Sequence, residues 1–330
     1  MEVDPNAELS GVYRYVGAGG TVSRPTREGP AMVFNNVKGH PDARVAIGVL
    51  ASRKRVGYLL GEKPENLGKL LNRAVSNPIP PVVVDASKAQ CQEVVHYATE
   101  EGFDIRELIP NTRVREDINT DSGKAMPEFP GYTGVANPAV PIIKVKAVTT
   151  RRNPIMQSCI GPSEEHVSMA GIPTEARILA MVERAMPGKL QNVYCASCGG
   201  GKYMAVLQFK KSVPSDEGRQ RQAALLAFSA FSELKHVFLV DEDVDCFDLS
   251  DVIWAMNTRF QADVDLIPIP GVRCHPLDPS NDPTISPSIR DHGIACKAIF
   301  DCTVPFDQKH RFQRSKFKEL DPKKWVPDLF

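Results

Sequence analysis

Residues 124–134, KAMPEFPGYTG, hold a single carboxylate, Glu128, between Pro127 and Pro130. Each proline fixes φ and removes a backbone donor, while glycine in the turn that follows allows backbone angles that other residues avoid. This composition excludes an ordinary helix or a central strand. It predicts a rigid loop that directs one acid, and the alternative is a tight surface turn with a solvated glutamate.

Two histidines stand in loops bounded by proline and glycine. His166 lies within residues 163–173, just before a predicted helix, and His275 lies in the sequence Cys-His-Pro-Leu. An imidazole with a near-neutral pKa on a rigid loop suits proton transfer or a hydrogen bond to a phenol. The alternative for His166 is a structural histidine, and for His275 it is a solvated loop.

A lysine follows a glycine run at residues 199–202, GGGK. No side chain just before Lys202 crowds a ligand, so its ammonium can pair with an anionic substrate. A solvated turn lysine has the same local pattern and is the alternative. Taken together, one acid, two histidines and one lysine suit an anionic, hydroxylated small molecule that must be protonated.

Eight cysteines are spaced irregularly, and without a secretion signal they are predicted to be free thiols. Only Cys195 and Cys198 lie close together. Zinc is disfavoured because no second Cys or His pair follows at short spacing. A redox dithiol is disfavoured because the pair runs into glycines rather than opening a helix.

Residues 241–245, DEDVD, form the densest acidic cluster of the chain. They resemble a calcium-binding EF-hand loop only superficially, because the glycine and the distal glutamate of that loop are absent. The favoured interpretation is a turn at the end of a strand, whose carboxylates cap the next helix.

Charge and hydrophobicity exclude several classes of partner. The 330 residues carry 40 Lys and Arg against 40 Asp and Glu, so the formal net charge is zero. That balance gives no electrostatic case for a nucleic acid or an anionic membrane. No apolar run approaches the length of a membrane span, and the first residues lack the pattern of a signal peptide. A cytoplasmic location is therefore expected.

Apolar runs and amphipathic segments alternate along the chain, which predicts an α/β (α+β) fold. An N-terminal α/β unit precedes a β-rich middle, and the α/β alternation returns from residue 163. Helices are predicted over residues 64–75, 88–101, 173–186, 218–232 and 249–259. Strands are predicted over residues 30–37, 80–84, 143–150, 153–157, 193–194, 204–209 and 236–240.

Four long motifs resemble those of the UbiD-type decarboxylases, and the resemblance covers nearly the whole chain. They are PNTRVREDINTDSGKAMPEFPGY at 110–132, IGPSEEHVSMAGIP at 160–173, VDEDVD at 240–245 with WAMNTR at 254–259, and KAIFDCTVP at 297–305. The closest branch is that of the bacterial gallate and protocatechuate (hydroxybenzoate) decarboxylases.

The resemblance implies non-oxidative, reversible removal of CO2 from a hydroxylated aromatic acid. The family cofactor is prenylated FMN, held with a divalent metal, Mn2+ or Mg2+, and with K+. By the resemblance, Glu128 matches the proton donor. His166, Lys202 and His275 match residues that line the substrate pocket. Lys297 matches a lysine at the phosphate end of the cofactor, and no residue matches a metal ligand.

Two departures from the family pattern stand out. Many relatives carry a second glutamate five residues before the acid, where this chain has Gly123, so Glu116 or Asp117 would have to help, or no residue does. At Pro110–Asn111, two flanks that the family separates by a long segment are joined directly. That segment carries most of the flavin-binding split barrel, a catalytic arginine and the metal ligands. An internally truncated, non-catalytic scaffold or interaction remnant is therefore the alternative function.

The resemblance also divides the chain and names partners. It implies an N-terminal α/β domain over residues 1–110, a remnant of the split β-barrel over 111–160, and a C-terminal α/β domain with an oligomerising tail over 161–330. The implied partners are the small aromatic acid, other copies of the chain in a homo-oligomer, a small accessory subunit, and a flavin prenyltransferase that supplies the cofactor.

Overall fold

The computed structural model describes residues 3–4, 6–16, 28–109, 128–132, 143–282, 284, 293–315 and 321–325. Its strands are β1 Met32–Val37, β2 His40–Ile47, β3 Val94–Tyr97, β4 Ala147–Thr150, β5 Ile155–Ser158, β6 Leu190–Cys195, β7 Met204–Phe209, β8 His236–Val240, β9 Leu266–Arg273 and β10 Ile294–Asp301. Its helices are α1 Leu9–Val16, α2 Arg53–Leu60, α3 Leu67–Ser76, α4 Ile105–Leu108, α5 Glu164–Ala185, α6 Arg219–Ala230, α7 Leu249–Arg259, α8 Ala262–Asp265 and α9 Pro322–Trp325.

A five-stranded sheet organises the C-terminal part, in the order β6-β7-β8-β10-β9. The three central strands run parallel, with Met204 of β7 and Ala298 of β10 both opposite His236 of β8. The outer strands β6 and β9 are antiparallel to their neighbours. The start of β7, the start of β8 and the end of β6 therefore meet at one edge of the sheet.

Alternating side chains of the central strands cover the two faces of this sheet. On one face, Leu207 and Leu239 pack with residues of α5 and α6. On the other face, Val206 and Phe238 pack with Val252 of α7. A strand turns successive side chains to opposite faces, so helices on both sides bury the central strands, while the outer strand β9 stays largely exposed.

The N-terminal part forms a smaller sheet in the order β1-β2-β5, and α5 carries its attachment to the C-terminal part. The carboxylate of Glu165, which is fully buried, accepts the N–H of Gly48 at 2.8 Å and of Leu50 at 2.9 Å. About three helical turns further along α5, Glu175 accepts hydrogen bonds from both terminal nitrogens of Arg53 at 2.8 and 2.6 Å. Buried carboxylates on one helix thus hold the two parts together.

The mixed α/β class is confirmed, while two predicted elements are wrong. No strand forms at residues 80–84, where Val83 is 95% exposed and the backbone has no ladder partner among the described residues. No helix spans 88–101, because residues 94–97 form β3 and pair with β4. Tertiary pairing overrides local propensity at short segments of this kind.

The loop predicted for residues 163–173 is also wrong. Helix α5 begins at Glu164, with the hydroxyl of Ser163 accepting the N–H of His166 at 3.3 Å, and it continues through Pro173. Proline inside a helix costs about 3 kcal/mol. The buried carboxylates on both sides of Pro173 supply contacts that only the folded chain offers.

The predicted middle domain, residues 111–160, contributes strands to open sheets. Strand β4 pairs with β3, and β5 pairs with β2 of the N-terminal part. The described residues form no closed barrel. The junction at Pro110–Asn111, the possible helpers Glu116 and Asp117, and Gly123 lie outside the described residues. The three domain boundaries stay predictions.

Candidate active site

Residues Glu128–Tyr132 form the tight turn that the prolines and glycines predict. The carbonyl of Glu128 accepts the N–H of Gly131 at 2.9 Å, and the N–H of Glu128 donates to the carbonyl of Tyr132 at 2.8 Å. Gly131 has φ +87°, which a side chain would disfavour. The turn buries the side chain of Phe129 and leaves Glu128 partly exposed.

The ring of Phe129 is the centre on which the predicted site residues converge. Its centroid lies 4.7 Å from that of His275 and 6.1 Å from that of His166. The ammonium of Lys202 lies 4.8 Å from the same centroid, within the range of a cation–π contact. Tyr203 packs against the ring at 5.0 Å. Both predicted histidines and the predicted lysine are thus brought to the turn that carries Glu128.

The cluster lies at the edge of the sheet where β7 and β8 begin. Lys202 lies two residues before β7, and the carbonyl of Tyr203 accepts the N–H of His236 at the start of β8. Ligands of parallel sheets usually bind at the carboxyl ends of the strands. Here the acidic turn at 241–245 occupies that edge, and the candidate site lies at the opposite one.

His166 lies in the first turn of α5, close to Lys202 and Glu128. Burial lowers the pKa of His166 below its usual value, the charge of Lys202 lowers it further, and the charge of Glu128 opposes both. The neutral imidazole is therefore favoured at neutral pH. A Cβ on Gly161 would lie 2.9 Å from Nδ1 of His166, so the backbone before the helix passes directly over the ring.

Lys202 and His275 share one carboxylate, that of Glu233. Oε2 of Glu233 lies 3.2 Å from Nζ of Lys202 and 3.5 Å from Nε2 of His275. The two nitrogens are 3.4 Å apart. Burial lowers the pKa of His275, the charge of Glu233 opposes this effect, Lys202 adds to it, and Asp278 opposes it.

Lys297, predicted to contact the cofactor phosphate, lies in β10 and is 3% exposed. Its Nζ donates to the carbonyl of Ser232 at 2.7 Å and lies 5.0 Å from the ring centroid of Phe228. Burial lowers the pKa of Lys297 to about 8. The ammonium thus holds the main chain beside Glu233, and the phosphate contact stays a prediction.

The residues that the structure describes offer no site for the metals that the family pattern implies. The described residues contain no group of three or more His, Cys, Asp or Glu that could hold a metal ion. Lys297 is already bonded to the carbonyl of Ser232, and the ring of Phe129 packs against His275. The described site supplies an acid and hydrogen-bond donors.

All eight cysteines are free, as predicted. Cys195 is buried, and burial raises the pKa of its thiol well above the usual value. The thiol of Cys198 donates to the sulfur of Met204 at 3.6 Å. Cys195 and Cys198 therefore act as packing residues beside the glycine turn.

The acidic turn is structural, as favoured, but it does not cap the next helix. The guanidinium of Arg259 bonds Asp243 at 2.9 and 2.7 Å and Asp241 at 3.0 Å. Asp248 is the residue that caps α7, accepting the N–H of Ser250 at 2.9 Å. The carboxylates thus bind the last residue of α7 instead of its first turn.

Sequence reasoning missed three residues of the cluster. Phe129 and Tyr203 are direct neighbours of Glu128 and Lys202, so adjacency to those residues was an available signal. Glu233 lies in the turn between α6 and β8, and nothing in its local sequence distinguishes it from other surface glutamates. Only the pairing of the strands brings it to the site.

A mixed α/β fold that gathers one acid, two imidazoles and one ammonium around a buried ring has the composition of an enzyme active site. Family models for 3-octaprenyl-4-hydroxybenzoate carboxy-lyase match the chain twice, the N-terminal domain at residues 1–75 and the C-terminal domain at 167–302. The chain belongs to this family, the UbiD family. No helix among the described residues is long and apolar enough to cross a membrane.

Three of the matching proteins are named as decarboxylases of gallate or of 3,4-dihydroxybenzoic acid. Gallate decarboxylase of Lactiplantibacillus plantarum is 45% identical over 456 residues, covering 97% of this chain and 93% of the relative. Structures of apo 3,4-dihydroxybenzoic acid decarboxylases from Enterobacter cloacae and Klebsiella pneumoniae match with TM-scores of 0.89 and 0.88 at 41% and 40% identity. Each match covers 99% of this chain and 95% of the other.

The alignment with gallate decarboxylase also bears on the predicted missing segment. Its 456 positions exceed the 330 residues of this chain by 126, so at least that many positions of the relative have no counterpart here. Structures of the UbiD-class enzyme HmfF with FMN and with prFMN match at 22% and 19% identity, and at that level they show the fold alone.

Proposed function

We propose that this chain binds a hydroxylated aromatic acid, such as gallate or protocatechuate, and carries out its non-oxidative, reversible decarboxylation with Glu128 as the proton donor. The observation that carries the proposal is the convergence of His166, Lys202 and His275 on the ring of Phe129, next to Glu128. The sequence likeness to gallate and 3,4-dihydroxybenzoic acid decarboxylases supports the substrate class.

The site residues have separate roles in this proposal. The ammonium of Lys202 and the N–H groups of His275 and His166 bind the phenolic oxygens of the ligand, because a cation and imidazole donors suit oxygens that carry partial negative charge. Phe129 provides an aromatic surface for the ligand ring to pack against. Glu128, on its hydrogen-bonded turn, returns a proton to the ring carbon that loses CO2.

The cofactor set remains part of the proposal. In the family the chemistry of CO2 loss is supplied by prenylated FMN, with Mn2+ or Mg2+ and K+, and a flavin prenyltransferase makes the flavin. The described residues hold no group for these ions, so any site for them would involve the remaining residues of the chain. The alternative is an internally truncated scaffold or interaction remnant that keeps the substrate side alone, and the likeness to named decarboxylases does not favour it.

One experiment separates the two functions. The chain is co-expressed with a flavin prenyltransferase, and its visible absorption and its CO2 release from gallate and protocatechuate are measured. A bound-flavin band with CO2 release is expected if the chain decarboxylates. A colourless protein that releases no CO2 but still binds protocatechuate in calorimetry would overturn the catalytic proposal and support the remnant.

The role of Glu128 has its own test in the same preparation. Glu128→Gln keeps the size of the side chain and removes the transferable proton, so turnover should fall by at least 100-fold, the usual contribution of a positioned acid. Glu101→Gln, an exposed glutamate away from the cluster, serves as the control and should keep parent activity. Parent-like turnover in Glu128→Gln would show that another group donates the proton.

Assembly is also proposed. We expect a homo-oligomer that self-associates through the C-terminal part, with a small accessory subunit as a further partner. One matching structure, the vanillic acid decarboxylase ShVdcCD of Sedimentibacter hydroxybenzoicus, includes a truncated ShVdcD. Light scattering of the purified chain should give a mass that is a multiple of 36.3 kDa.

A further inference from the structure

Glu233 is a charged residue of the site that has no part in the proposed function. It lies in the turn between α6 and β8, and its side chain is 32% exposed. Among the described residues, Oε2 of Glu233 is the carboxylate oxygen within ion-pair distance of both Lys202 and His275, at 3.2 and 3.5 Å. An anion this close to two nitrogen donors attracts both, so it influences how each donor is oriented toward a ligand.

The proton of neutral His275 has a defined place. Nδ1 of His275 accepts the N–H of Leu277 at 3.0 Å, so the neutral ring carries its proton on Nε2. Nε2 lies 3.4 Å from Nζ of Lys202, and both nitrogens are then donors. Two donors cannot bond each other, and Oε2 of Glu233 lies within ion-pair distance of both while it accepts no hydrogen bond from a described residue, so neither N–H is directed at this oxygen.

The backbone around Glu233 and His275 is fixed from both sides. The buried ammonium of Lys297 holds the carbonyl of Ser232, and the thiol of Cys274 donates to the carbonyl of Glu233 at 3.4 Å. The amide of Asn281 donates to the carbonyl of His275 at 2.9 Å. The backbone that carries the carboxylate and the imidazole is therefore held by its own bonds, in addition to the bond that Nδ1 of His275 accepts.

We propose that Glu233 is a positioning residue that holds Lys202 and the Nε2–H tautomer of His275 as a pair of parallel donors for the hydroxyl oxygens of the aromatic ligand. The ligand class rests on the proposed function, whereas the arrangement of the three side chains does not. By this inference, hydroxyl groups on the ring, in addition to the carboxylate, decide which aromatic acids bind.

The first test measures the titration of each histidine by NMR of the side-chain nitrogens in the full chain. The charged and polar groups that face His275 are Glu233, Lys202, Asp278 and Tyr203. Glu233→Gln removes a charge that raises the pKa of His275, so its midpoint should move to lower pH. Lys202→Met removes a charge that lowers this pKa, so the midpoint should move to higher pH.

Internal and external controls are available. His236 responds to Lys235 and Asp278 and not to Glu233, so its midpoint should stay constant in Glu233→Gln. Glu242→Gln breaks an exposed pair with Lys210 at the opposite edge of the sheet and should leave His275 unchanged. Glu233→Asp keeps the charge and should return the midpoint of His275 toward the parent value. An unchanged midpoint in Glu233→Gln overturns the inference.

The second test measures selectivity between two carboxylates. Protocatechuate carries ring hydroxyls and benzoate carries none, so the ratio of their dissociation constants cancels the effect of charge on the shared carboxylate. Glu233→Gln should lower the preference for protocatechuate on the order of tenfold, the value of one well-placed hydrogen bond. A preserved ratio would contradict the donor-pair role.

The two tests distinguish a failure of the proposed function from a failure of the inference about Glu233. If the parent chain binds neither acid, the proposed function fails, while the titration of His275 still decides whether Glu233 sets the donor pair. If Glu233→Gln fails to fold by circular dichroism, Lys202→Met carries the titration test, and Glu233→Asp remains the control that keeps the charge. An unchanged His275 midpoint in Lys202→Met would overturn the inference in that case.

Discussion

The rings of Phe129 and His275 meet edge to face, with centroids 4.7 Å apart and an interplanar angle of 69°. Phe129 directly follows Glu128 and is 8% exposed, so this contact anchors the turn that carries the acid. Edge-to-face aromatic pairs contribute about 0.5–1.5 kcal/mol beyond the area that they bury. The position of the acid therefore depends on a histidine from a distant part of the chain.

Gly200 packs closely against the ring of Phe129. A Cβ at Gly200 would overlap Cδ2 of Phe129, and the residue has φ +63°. Gly200→Ala should lower the free energy of unfolding by about 2–4 kcal/mol, combining a strained backbone with a displaced ring. Gly188→Ala is the matched control, since Gly188 has φ +71° and no atom within 4 Å of the added Cβ.

Urea unfolding of both glycine variants measures the difference. Gly188→Ala should lose only the backbone part, about 1 kcal/mol. Equal losses in the two variants would mean that Phe129 does not pack against the glycine run.

The charge of Glu128 should be detectable at His166. Glu128→Gln removes a charge that raises the pKa of His166, while burial and Lys202 continue to lower it. The NMR titration midpoint of His166 should therefore move to lower pH in this variant. Glu233→Gln is the control, because Glu233 does not act on His166. A constant midpoint in Glu128→Gln would place the acid away from the imidazole.

Lys297 should make stability depend on pH in the alkaline range. The pKa of Lys297 is about 8 in the folded protein against an ordinary value of 10.5. Between these two values the unfolded chain binds more protons than the folded one, so this lysine makes the folded state more stable as pH rises. Below pH 8 the ammonium is charged in both states, and its buried charge then costs the folded state most.

The comparison with Lys297→Met isolates this effect. Between pH 8 and 10.5 the parent should gain stability relative to the variant, by about 3 kcal/mol in all. Denaturant unfolding at several pH values gives the difference directly. A difference that stays constant over this range would mean that the ammonium is solvated.

The ion pair of Arg53 and Glu175 should dominate the attachment of the N-terminal part. Glu175 is fully buried, and burial raises the pKa of its carboxyl while Arg53 opposes the effect. Glu175→Gln leaves the guanidinium of Arg53 without an anion, so a loss of about 3 kcal/mol is expected. Arg73→Ala breaks an exposed pair with Glu62 and should cost less than about 1 kcal/mol.

Thermal unfolding of these two variants provides the measurement. Glu175→Gln should separate the unfolding of the N-terminal part from that of the five-stranded sheet, because α5 links them. Similar losses in Glu175→Gln and Arg73→Ala would show that the buried pair contributes no more than a surface pair.

The sequence determined the elements whose signal is local and continuous. The buried strand at His236–Val240 and the helix at Leu249–Arg259 form where predicted, because an unbroken apolar run and an amphipathic period each suffice. The tight turn at Glu128 also follows from its own prolines and glycines, which restrict the backbone without help from other elements. The sequence motifs likewise identified the family.

Only the tertiary structure decided the rest. The sequence predicts that a helix begins at Pro173. Helix α5 nevertheless continues through this residue, because Glu165 and Glu175 accept hydrogen bonds from other elements. The sequence predicts a strand at residues 80–84, yet no strand among the described residues pairs with this segment. Glu233 joins the site because β7 and β8 run parallel and begin at the same edge. Contacts between distant residues have no local signature, so sequence patterns alone do not reveal them.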